Sequence, residues 1–75
     1  MITLKITIDT YTLTSKKLTN ASDVQLAYPE VLAAHTLQHS NGQSAHLITI
    51  LVYTDTTSAL NLAPGPFLDW CKAHL

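Results

Sequence analysis

At the start of the chain Ile2, Leu4, Ile6 and Ile8 alternate with Thr3, Lys5, Thr7 and Asp9. This run limits the fold more than any other. A period of two rich in β-branched residues is a strand with one buried face. Such a strand needs a second layer against it, and 75 residues leave room for one two-layer domain spanning residues 1–75. After Asp9 the apolar positions change parity, to Tyr11 and Leu13. That change requires a bulge, or a turn into a second short strand. The sequence favours a bend at Asp9-Thr10 with residues 11–14 extended.

Residues 15–20 are polar and include Lys16 and Lys17, and Asn20 or Ser22 can cap a helix starting near Ala21. Pro29 then removes a backbone donor and disfavours helical angles at Tyr28. One reading is a single kinked helix over residues 21–40. The preferred one is a short helical turn and then a second helix with Pro29 at its first position. At 100° per residue, Ala21, Val24, Tyr28, Val31, Leu32, His35 and His39 form one stripe, with Ala33, Ala34 and Leu37 opposite. Two moderately apolar faces suit burial on a sheet by one and contact with a partner by the other. Asn41 or Gly42 closes this helix.

Residues 45–54 carry apolar side chains on both parities, as expected of a central strand covered on both faces. A short turn through residues 59–62 and the Ala63-Pro64-Gly65-Pro66 punctuation follow. Pro66 opens a last helix with Phe67, Leu68, Cys71 and Leu75 inward, Asp69 and Lys72 outward and Trp70 at the edge. The expected fold is α+β, a two- to three-stranded sheet packed by two or three helices in the order β-(β)-α-β-α. Parallel neighbouring strands would be joined by a right-handed crossover.

Hydrophobic residues make up 47% of the chain and charged ones only 12%. So small a domain covers itself poorly with polar groups, which points to a homodimer or a partner-covered surface. The formal charge is -1 and all four basic residues are lysines. Without arginine or a basic stripe, nucleic-acid binding is not expected. The N-terminal alternation is unlike a signal-peptide core, and the apolar run over residues 47–53 is too short to span a bilayer. The lone Cys71 suits a reducing cytoplasm. The expectation is a cytoplasmic chain with no membrane contact.

Chemistry-bearing residues concentrate in His35, His39 and His46. Two histidines at i and i+4 share a helix face and can offer imidazoles to Zn, Cu or Ni, with His46 as a third ligand. The spacing of His35, His39 and Gly42 resembles the metzincin metalloprotease signature, His-Glu-x-x-His-x-x-Gly-x-x-His. That resemblance would imply a zinc hydrolase. However, Thr36 stands where the general-base glutamate belongs, and His46 comes one residue late. Without that base, water is not activated as in that family.

Asp9 and Asp55 each follow an apolar strand, and on parallel neighbours they would meet at one sheet edge to hold Mg²⁺ or share a proton. Ile6-Thr7-Ile8-Asp9 with Thr12 resembles the haloacid-dehalogenase nucleophile motif. Tyr11 replaces its second aspartate, and the threonine is one position early. Cys71 and His74 lie i and i+3 apart, with the thiol on the expected buried face, where thiols pack and stay inert. No glycine-rich phosphate cradle or Gly-x-Ser-x-Gly elbow occurs. The sequence therefore favours a non-catalytic accessory or inhibitor protein that binds another protein and dimerises, with Val31, Leu32, Tyr53 and Trp70 as candidate contacts. A transition-metal-binding protein using the three histidines comes second, and a small hydrolase using the strand-end aspartates third. No other cofactor is expected.

Overall fold

A computed structural model describes residues 1–40 and 47–75. The alternating N-terminus forms β1 (Ile2–Ile8), and β2 (Tyr11–Leu18) returns beside it. Ile8 pairs with Tyr11, so Asp9 and Thr10 make the turn, with Asp9 at φ 53°. Aspartate tolerates this left-handed region better than most residues. The register then steps from Ile6↔Thr14 to Thr7↔Thr12, leaving Leu13 as the extra residue of a bulge. Both devices considered for the parity change are thus present, and β2 runs on through the polar residues to Leu18.

α1 (Ala21–Ser40) is one helix with Pro29 inside it, which corrects the expected break. Asn20 caps it, its Oδ1 accepting from the Asp23 backbone N–H at 2.9 Å. Asp23 reaches back to accept from the Thr19 N–H at 2.9 Å and the Thr19 hydroxyl at 2.7 Å, so the N-terminal turn is held from both sides. Pro29 faces solvent, while Val24, Ala27, Val31 and Ala34 on either side of it are buried. Those flanking anchors hold the helix continuous despite the lost bond. The buried stripe also differs from the expected one: Ala34 points inward, whereas Leu32 and His39 are exposed.

β3 (Ile48–Tyr53) pairs with β1, β4 (Leu60–Asn61) pairs with β3, and α2 (Pro64–His74) closes the chain. The fold is α+β, but its sheet has four strands in the order β2-β1-β3-β4, all antiparallel. The expected strand count was low, because β4 lies where only a turn was read. Parallel neighbours, the condition for a crossover, do not occur among the described residues. The hairpin reverses the chain once and α1 reverses it again, so β3 enters at the Ile8 end and runs against β1. α2 opens at Pro64 rather than Pro66, and Leu75 lies outside the core.

Registration of Leu4↔Val52 and Ile6↔Ile50 puts the buried apolar strand residues on one face. Val24, Ala27 and Val31 of α1 and Phe67 and Cys71 of α2 close over them. β3 is thus interior in the sheet but buried on one face only, with Leu51 and Tyr53 half-exposed on the other. That open face is polar: Thr3 accepts from the Lys17 ammonium at 2.8 Å, and the hydroxyls of Thr7 and Thr49 hydrogen-bond across the β1–β3 pair. One buried and one polar face is the usual division of an antiparallel sheet.

Candidate functional site

The last turns of α1 bring His35 and His39 together. Their rings meet edge to face with centroids 4.2 Å apart. His35 is half-buried and His39 exposed, so the pair sits where the helix leaves the core. His46, the third expected ligand, lies outside the described residues. Among the described residues no group of three or more His, Cys, Asp or Glu side chains is placed to hold a metal ion.

Asp9 and Asp55 are not brought together. Because β1 and β3 are antiparallel, Asp9 lies beside Leu47 at one end of the sheet, and Asp55 follows β3 at the other. The Asp9 N–H donates to the Leu47 carbonyl at 2.7 Å, and its Oδ1 accepts from the Leu47 N–H at 2.9 Å. This carboxylate extends the β1–β3 ladder one residue beyond Ile8 and Ile48. At the far end, Thr54 and Thr57 knit the turn: the Thr54 N–H donates to the Thr57 hydroxyl at 2.8 Å, and Asp55 stands exposed between them.

Cys71 is fully enclosed, and burial pushes its thiol up to about 11. At neutral pH it is therefore protonated, as packing thiols are. His74 turns elsewhere: its ring stacks on Trp70 at 4.0 Å, and its Nδ1–H donates to the Trp70 carbonyl at 2.8 Å. Cys71 instead lines an apolar groove of about 360 Å³ between the helices, with Val24, Tyr28, Leu68, Lys72 and Leu75.

Of the four candidate contact residues, Val31 is enclosed in the core and supports the surface only from beneath. Leu32 is exposed, and Tyr53 and Trp70 are half-buried on different sides of the molecule. Besides Leu32, apolar residues reach solvent singly at Met1, Leu47, Leu60 and Leu75 and in groups on two elements. On α1 they are Leu26 (72% exposed), Pro29, Leu32, Ala33 and Leu37 (46%). On the outer strand of the sheet they are Tyr11 (74%) and Leu13 (60%). Leu37 stood opposite the Val24 stripe in the sequence, with Ala33 and Ala34, but Leu26 was missed. Its signal was its place on the helical wheel, across from Val24.

No helix among the described residues is long and apolar enough to cross a membrane. Comparison of the chain with protein-family models, curated proteins and solved structures returns no match.

Proposed function

We propose that this domain is a non-catalytic accessory or inhibitor protein that works by binding another protein and that associates with a second copy of itself. The row of exposed apolar side chains on α1 carries this reading. Leu26, Leu32 and Leu37 stand in solvent on a helix whose other side already holds the core. Three leucines so placed leave apolar surface in water, and contact with another protein removes that surface. The proposed setting is the reducing cytoplasm, where a single unpaired cysteine is ordinary. Light scattering is expected to return twice the 8.2 kDa chain mass. A single-chain mass at every concentration up to about millimolar, where binding is worth only about 4 kcal/mol, counts against it.

A second reading rests on the 4.2 Å approach of His35 and His39. Two imidazoles on one helix face suit Zn, Cu or Ni, with the ring nitrogens as donors. Isothermal titration with each ion is expected to show binding that His35→Ala and His39→Ala each weaken at least about tenfold, a loss of 1.4 kcal/mol. Equal heats for wild type and both variants end this reading.

A further inference from the structure

β2 is the outer strand of the sheet, and no described strand lies beyond it. Past the Leu13 bulge its five residues 14–18 form a regular stretch, and such a stretch at a sheet edge is a template for another strand. At the opposite edge β4 has only two residues and offers little ladder. Resting on the self-association proposed above, we infer that two copies join antiparallel through β2, giving one continuous sheet with both α1 helices on the same face.

Symmetry narrows the register. A two-fold axis perpendicular to a sheet leaves every side chain on its own face, so one residue of β2 must face its own copy. Like charges directly opposite destabilise a strand pair, which disfavours Lys16 and Lys17 at that place. With Ser15 on the axis, Lys16 faces Thr14 of the second copy and Lys17 faces its Leu13. No lysine then opposes a lysine.

The helix layer fits the same axis. α1 starts beyond Leu18 and runs back along β2. Glu30 meets Lys16 at 2.9 Å, and Gln38 donates to the Ile48 carbonyl at the Tyr11 end. α1 starts beside the Leu18 end of β2 and is tied near its other end to Ile48 of β3, so its middle crosses β1. With neighbouring strands about 4.8 Å apart, the middles of the two helices stand roughly 14 Å apart across the paired β2 strands. Leu26, Ala33 and Leu37 share the flank of Glu30, the flank turned to β2, and recur at helical spacing. From both copies they line this gap, and Tyr11, which shares the helix-bearing face with Ile8, adds its ring at the Leu37 end.

Charge also fits. The Glu30 side chain stays 38% exposed beside Lys16. The proposed register brings Lys16 of the second copy onto the same helix-bearing face, beside Thr14, where it adds a second cation near that carboxylate.

The test is cross-linking with a short bismaleimide. Ser15→Cys is expected to link into dimers in high yield, while the wild type, whose Cys71 is enclosed, and the control Ser58→Cys, on the β3–β4 connection, are not. Leu26→Lys with Leu37→Lys is expected to weaken the dimer at least tenfold, with circular dichroism checking that the variant folds. If the double variant does not fold, the cross-link alone decides. A dimer in which Ser15→Cys does not link, or in which Ser58→Cys links equally well, overturns this interface and leaves self-association standing. A monomer by light scattering removes both.

Discussion

A thiol cut off from water ionises reluctantly, and Cys71 makes this measurable. Burial raises it to about 11, so at pH 8 alkylation of the folded protein is expected to lag that in urea by more than about 100-fold, because thiolate and access are both withheld. Comparable rates would mean that α2 opens readily. Asp23 supplies the acid-side counterpart. The Thr19 hydroxyl, then its backbone N–H, holds this carboxylate below 3.8. A group lowered on folding stabilises above its unfolded value, and that stability is lost as pH falls through the folded one. Asp23→Ala is therefore expected to melt below wild type at pH 7, with the difference closing below pH 4; a difference unchanged in acid would remove the carboxylate from the account. Asn20→Ala should cost about 1 kcal/mol at either pH. The cap was legible in the sequence because its chemistry is local. The separation of Asp9 from Asp55 was not, since it depends on strand direction, which neither residue carries.

Among the elements, α1 shows where local rules give way. An interior proline costs a helix about 3 kcal/mol, which is why the sequence favours two pieces split at Pro29. The cost is met because Val24, Ala27, Val31 and Ala34 bury along one line on the same sheet, and a break would misplace two of them. Pro29→Ala is accordingly expected to stabilise the fold by about 1–2 kcal/mol, the restored bond being offset by greater freedom of the unfolded chain. A loss in denaturant midpoint would show that the proline geometry is itself required. The β1 alternation and the final helix were legible because their periods are clean. β4 was not, since two residues cannot carry a period, and its pairing comes wholly from Leu51 and Val52. The apolar run of β3 read as a strand buried twice. Leu51 and Tyr53 instead lie on the open face, beside the polar rows of β1.

For the whole molecule the question is how a chain of 75 residues stays folded with so many leucines outside its core. A domain this small buries roughly 60% of its unfolded surface, so its own reserve is thin. Phe67 is the largest fully enclosed side chain, and its truncation to alanine should remove about 3–5 kcal/mol, enough to unfold a marginal monomer. If the exposed row of α1 and the β2 edge meet a second copy, part of the stability belongs to the assembly and depends on concentration. Mass action gives about 1.4 kcal/mol per dimer for each tenfold rise in concentration, or about 0.7 per chain. For a domain of this size that moves the melting midpoint by roughly 3–6 °C. Calorimetry at 10, 100 and 1000 µM is expected to show that progression in the wild type. In Leu26→Lys with Leu37→Lys it should be flat over the range where that variant is monomeric. Superimposed wild-type transitions would mean that the single chain holds itself together and that the leucines of α1 serve something other than its own stability.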